Sequence, residues 1–219
     1  MFVAGAAYAL EAPEEKASGN EQVKVKGAFR ATWVLPDADI TQYTKIYPWK
    51  ARYEFREGGE TKAAETTTER LRGGGGPYSI REESKEKFEK TVNMALINEL
   101  GRSKIFEITD ELGPNTLLVR ATVLDIISNV PPNFTGGQIY LASVGEATFI
   151  FELIDAETGV VQATGGERRT IQGPSARTAG VNTIPANSAT VWAEVDKWAT
   201  EMARDLRKAL EKAHKKASK

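Results

Sequence analysis

Between residues 147 and 164 the chain reads ATFIFELIDAETGVVQAT, two alternating stretches split by a short polar break. Successive side chains of an extended chain point to opposite sides. Ala147, Phe149, Phe151 and Leu153 therefore share one face of a strand, and Thr148, Ile150, Glu152 and Ile154 share the other. Aromatic and β-branched residues dominate, which suits a pleated, packed surface. The break, Asp155-Ala156-Glu157-Thr158-Gly159, has turn chemistry. An Asp side chain accepts from its own backbone two residues on, and glycine supplies a positive φ. The pattern predicts a hairpin closing on a glycine bulge. Its return strand covers 160–164 and ends at Gly165-Gly166, with 168–171 as a candidate extension. The second face is also largely apolar, so the strand is expected inside a sheet covered on both sides. Glu152 then needs a partner. Arg120, on the preceding predicted strand, is the candidate for a cross-strand ion pair.

The same alternation recurs over 44–57, where Tyr47, Trp49, Ala51, Tyr53 and Phe55 oppose Lys50, Arg52, Glu54 and Arg56. Pro48 cannot donate to a ladder and marks an edge or a bulge. Residues 23–35 read as a weak strand or an ordered arm, 104–109 as a short strand, and 116–130 as a long one stopped by Pro131-Pro132. Two stretches switch to the helical period. In the first, Phe88, Val92, Ala95, Leu96 and Leu100 form a stripe, with Ser79 and Glu82 as a capping box and Gly101 as the stop. In the second, from Ser188, the stripe is Val191, Trp192, Val195, Trp198, Ala199, Met202 and Leu206, continued by Ala209, Leu210 and Ala213. Its end is cationic, which matches the helix dipole. Residues 11–21 read as a linker, and 58–78 and 172–187 as loops.

The order is β, α, several β, then α, without βαβα alternation. It predicts an α+β fold, a mainly antiparallel β-sheet flanked by two main helices in a two-layer or three-layer sandwich. The chain divides into an apolar N-terminus and linker at 1–21, a single α+β domain at 22–213 and a basic tail at 214–219.

Composition narrows the chemistry. With 219 residues and 41% hydrophobic content, the chain supports a core that needs no covalent staples. It has no cysteine, which removes disulfides, thiol nucleophiles and thiolate metal sites. His214 is the sole histidine and reads as a solvated residue on the last helix. A hydroxyl nucleophile therefore lacks a histidine base, and zinc lacks a ligand set. Asp155-x-Glu157-x-Gly159 lacks the remaining ligands of a calcium loop, and the glycine run at 73–76 lacks the Gly-Lys-Ser/Thr of a phosphate loop. No metal and no cofactor are predicted. Lys plus Arg number 29 against 30 Asp plus Glu. That balance gives no overall pull toward nucleic acid.

Some features leave two readings. Glu107, Asp110, Asp125 and Glu152 supply material for an acid–base pair, whose separation the residues alone do not set. Phe134 and Tyr140, in a Gly-rich stretch between strands, stand either as anchors for a partner or as their loop's own small core. Arg168, Arg169 and the C-terminal lysines read as a solvated face, with peripheral association at an anionic membrane as the alternative. No run of apolar residues is long enough to span a bilayer as a helix. Residues 1–10, MFVAGAAYAL, carry Ala7-Tyr8-Ala9 in an A-x-A pattern and read either as the end of a signal peptide or as a frayed apolar terminus.

Three pieces in order resemble bacterial lipoproteins of the domain-of-unknown-function family 3313. They are LPDADITQYTKIY (35–47), GPNTLLVRATVLDIISNVPP (113–132), and FELIDAETGVVQA (151–163) with the later WAEVDKWA (192–199). The resemblance spans residues 34–210 and implies a sheet flanked by helices, secreted across the inner membrane and usually lipidated on a cysteine. The given residues include no such cysteine, which leaves open a lipid anchor, a cleaved signal or a start upstream of Met1; no catalytic residue or substrate carries over. The expectation is a non-enzymatic interaction or structural domain of the cell envelope, periplasmic or outer-membrane-associated, which binds another envelope protein or itself. The alternative is a small-molecule-binding or carboxylate-dependent enzyme domain.

Overall fold

The computed structural model describes residues 22–57, 77–131, 140–172, 176–178 and 181–218. The stretch 1–21 and the glycine run at 73–76 lie outside the described residues. The elements in order are β1 Val23–Lys24, β2 Ala31–Val34, a one-turn 3-10 helix Ile40–Gln42, β3 Lys45–Pro48, β4 Arg52–Phe55 and α1 Glu82–Leu100. After α1 come β5 Glu107–Ile108, β6 Thr116–Ser128, β7 Tyr140–Leu141, β8 Gly145–Asp155, β9 Val161–Ile171, β10 Ala176–Thr178, β11 Val181–Pro185 and α2 Ser188–Ala217. The fold is α+β.

Eight strands make one sheet in the order β1-β2-β9-β8-β6-β3-β5, with β4 also pairing to β6. The predicted hairpin is its centre: β8 pairs antiparallel with β9 on one side and β6 on the other. The β6 side is mixed, because β3 and β4 run parallel to β6 and β5 runs parallel to β3.

Both helices cover the same face. The Phe88 ring of α1 meets Tyr53 and Phe55 of β4 edge-on, at 6.2 and 5.9 Å between centroids. Trp198 of α2 meets Phe149 of β8 at 5.5 Å and Phe88 at 5.9 Å. One apolar core therefore runs from the sheet through both helices. The expectation of cover on both sides of β8 is corrected in part. On the outer face Ile154 and its partner Leu118 are buried, but Thr148, Ile150 and Glu152 are half-buried, and no described helix lies over them. An antiparallel strand core tolerates one wet face, and here that face carries ion pairs.

Four further expectations change, each for a local reason. Residues 44–57 form two strands, not one. Between the pairs Pro48↔Val119 and Arg52↔Thr122 the chain takes one more step than β6. The extra residue reverses the alternation, so Ile46 is buried before the break while Tyr53 and Phe55 face Phe88 after it. The capping box does not form. Tyr78 N–H still bonds Ser128 O in a β-bridge at 2.8 Å, so the chain stays extended and α1 starts later, with Arg81 at its N-cap and no side-chain cap bond. Gly165-Gly166 do not end β9, which runs on to Ile171. A Cβ at Gly166 would meet Phe149 O at 2.8 Å, and one at Gly165 would meet Phe29 at 3.1 Å, so these glycines admit close neighbours to a continuing strand. Finally, part of 172–187 is strand: β10, β11 and β7 form a small antiparallel sheet.

Candidate functional site

The structure places Arg120 directly opposite Glu152, and Arg120 Nε donates to Glu152 Oε2 at 2.7 Å. The pair sits on the outer face with side chains 14% and 22% exposed. At the hairpin turn, Asp155 Oδ1 accepts from the backbone N–H of Glu157 at 3.0 Å and of Thr158 at 2.7 Å. Gly159 takes φ 70°, the left-handed conformation that glycine adopts without strain. Tyr140 lies on β7, register-paired with Pro185 of β11, and is 37% exposed. Phe134 lies outside the described residues.

The four carboxylates offered as an acid–base pair are not brought together. Glu107 sits on edge strand β5, with β3 and β6 between it and Glu152 on β8. Asp110 is exposed beyond β5. Asp125, at φ 53°, is clamped by Arg56 and Arg168, each at 2.5 Å. The hydrogen bond from Arg56 is the main reason its carboxyl titrates below the ordinary value. His214 is corrected too. It is half-buried, with its ring perpendicular to Phe106 at 5.6 Å between centroids.

One group was missed. Glu99, near the end of α1, is 1% exposed. It pairs with Arg102, and Arg207 Nε of α2 lies 3.5 Å from its second oxygen. Arg207 also reaches Glu211 at 3.2 Å. The signal was present: Glu99 falls on the stripe of Val92, Ala95 and Leu96 at helical spacing, and a carboxylate there needs a cation. Glu99 Oε2 and Arg207 Nε are buried and form no hydrogen bond, so it is the ion pair between them that joins the two helices.

The open site lies elsewhere. The C-terminal half of α2 stands over the sheet without filling the space beneath it, leaving a groove of about 720 Å³. Leu206, Ala209, Leu210 and Ala213 face it from the helix, and Phe151, Leu153, Ala163 and Gly165 from the strands. Phe29 and Val25 close one side, Ile40 and Tyr43 another. Residues at i and i+4 share a helix face, so Ala209, Ala213 and Ala217 put three short side chains along one wall.

The polar groups at the groove divide into two kinds. The one acid in its lining, Asp39, and the neighbouring Asp155 are occupied with local structure. Asp39 accepts from Thr41 N–H at 2.8 Å and from the Thr41 hydroxyl at 2.6 Å, and the hydroxyl bond leads in lowering its pKa. Asp155 accepts from the Tyr43 hydroxyl at 2.7 Å. Burial works against Asp155 ionising, but the bonds from Thr158, Tyr43 and Glu157 outweigh it and hold the carboxyl below its usual range. Burial, then this bond, raises the Tyr43 pKa. The cations differ: Lys26, Lys212 and Lys216 line the groove, are exposed, and form no ion pair among the described residues. A second, smaller notch of about 340 Å³ lies between Trp49 and Ile97, beside exposed Met94. Among the described residues no three His, Asp or Glu side chains converge to hold a metal ion, and no helix is long and apolar enough to cross a membrane.

No family model matches the chain, and no curated protein matches it. Family 3313 therefore rests on the sequence resemblance alone. Among solved structures, the chain is similar to a protein of the domain-of-unknown-function family 330 from Xanthomonas campestris, with TM-score 0.42 and 11% identity over 78% of this chain and 85% of that one. It is similar to a neuraminyllactose-binding hemagglutinin homolog from Helicobacter pylori, with TM-score 0.40 and 12% identity over 80% and 92%. It is also similar to a protein described as a lipoprotein from Caulobacter crescentus CB15, with TM-score 0.33 and 14% identity over 74% and 87%. Likenesses this distant carry no argument about this chain's role or mechanism.

Proposed function

We propose that this chain is a non-catalytic recognition domain of the bacterial cell envelope that holds an apolar small molecule between its sheet and its C-terminal helix. One observation carries the reading: a groove of about 720 Å³, walled by Phe29, Phe151, Leu153, Leu206 and Leu210. Ligand sites are mostly apolar concavities of this size with a few polar groups. The acids beside it support binding over chemistry, because Asp39 and Asp155 are spent on a turn, a cap and Tyr43. The envelope address rests on the sequence resemblance and on the A-x-A pattern at Ala7-Tyr8-Ala9.

The test is a titration with N-phenyl-1-naphthylamine, a neutral fluorophore that brightens in apolar sites. The wild type is expected to saturate at one probe per chain. Ala209→Trp and Ala213→Phe, each filling the groove, are expected to abolish the signal while circular dichroism stays unchanged. Saturable binding that survives both substitutions contradicts the reading, as does the absence of binding.

A further inference from the structure

Resting on that reading, we infer that the ligand is a single-chain amphiphile with an anionic head, a long-chain fatty acid whose tail lies along the groove and whose carboxylate meets Lys26, Lys212 and Lys216. The tail follows from the walls. Leu206 and Leu210 face Phe151 and Leu153 across a space kept open by Ala209, Ala213 and Gly165. An extended methylene chain in such a trough loses water along most of its length, and each buried methylene contributes to binding.

The head follows from charge. Three lysines line the groove from two elements, Lys26 from the loop after β1 and the other two from the last turns of α2. Asp39 is the one acid facing them from the groove lining, and it is engaged by Thr41. Elsewhere Arg56, Arg120, Arg168, Arg169 and Arg207 each hold a carboxylate. Among the described residues the groove lining thus carries three unpaired positive charges against one engaged acid, in a chain whose formal net charge is -1. An anionic head supplies the missing partner, and electrostatic complementarity of this kind selects between ligands more than it adds affinity.

The experiment displaces bound N-phenyl-1-naphthylamine with dodecanoate and with dodecanol, ligands that share a tail and differ in head charge. Dodecanoate is expected to compete about fivefold better in low salt, the scale of a few exposed charge pairs. The advantage shrinks as salt screens the lysines. It disappears in the Lys26→Gln, Lys212→Gln, Lys216→Gln triple variant, which still binds the neutral probe. Equal competition by the two ligands in the wild type overturns the fatty-acid assignment and leaves the apolar-site reading intact. Failure of the wild type to bind the probe at all sinks the reading beneath it. A third arm uses vesicles of anionic phospholipid. Vesicle binding that is lost in the lysine variant, retained in Ala213→Phe, and accompanied by no dodecanoate competition overturns the inference in favour of a membrane-surface role for the helix end.

Discussion

The two halves of α2 share one amphipathic pattern and do opposite things with it. Over its first turns Val195, Trp198, Ala199 and Met202 are buried against the sheet and α1, and Trp198 touches both Phe149 and Phe88. Over its last turns the stripe continues through Leu206 and Leu210 but is flanked by Ala209, Ala213 and Ala217, and the groove opens beneath it. Periodicity decides which side of a helix faces the sheet, and side-chain volume decides whether the gap closes. A closed half anchors the helix, so an open half is tolerable.

The first way to break the comparison is at the anchor. Trp198→Ala is expected to cost about 3–5 kcal/mol, the usual scale for emptying a buried aromatic site, read as a drop in the urea midpoint with little change in slope. If it costs under about 1 kcal/mol, less than a core truncation, the first half is not closed.

The next largest effect contrasts one substitution at two positions. Ala203 is fully buried and Ala213 is exposed in the groove wall. Ala203→Leu is expected to destabilise by about 1–3 kcal/mol through overpacking. Ala213→Leu is expected to stay within about 0.5 kcal/mol. Equal costs would erase the distinction between the halves.

At the turn beside the groove, Asp155→Ala is expected to cost about 1–2 kcal/mol at neutral pH by removing bonds to the turn and to Tyr43. The sign of the pH effect follows from the lowered carboxyl. A group more acidic when folded stabilises fully above its unfolded value, about 3.9, and loses that contribution as pH falls below it. Urea unfolding between neutral pH and pH about 3 should therefore show a steeper fall for the wild type than for the variant.

The smallest effect belongs to the outer face. Glu152→Gln is expected to cost only about 0.2–1 kcal/mol, as a partly exposed cross-strand pair, checked by the thermal midpoint. A larger loss would mean that this face is covered after all.

These outcomes track what the residues revealed in advance. The β8–β9 hairpin, both helix stripes and the Arg120–Glu152 pairing were legible, because alternation, helical spacing and turn chemistry are local. The break at 49–51 was not, since the extra residue is visible only against β6. Glycines 165 and 166 are opaque for a related reason: their neighbours, Phe29 in the bend before β2 and Phe149 on β8, come from elsewhere in the chain. In the small sheet β11 pairs with the distant β7, and β10 and β11 form a hairpin poor in apolar pattern. The groove was the least legible feature. Ala209 and Ala213 continue the apolar stripe, and nothing local to the helix tells whether the opposing surface rises to meet them.

Hydrogen exchange with and without bound N-phenyl-1-naphthylamine tests the central claim most directly, because it locates the ligand without a substitution. Probe binding is predicted to slow exchange in residues 206–217 and 25–34 while 191–202, already closed, stays unchanged. Protection confined instead to α1 and the strands around Trp49, beside the smaller notch, would contradict the account.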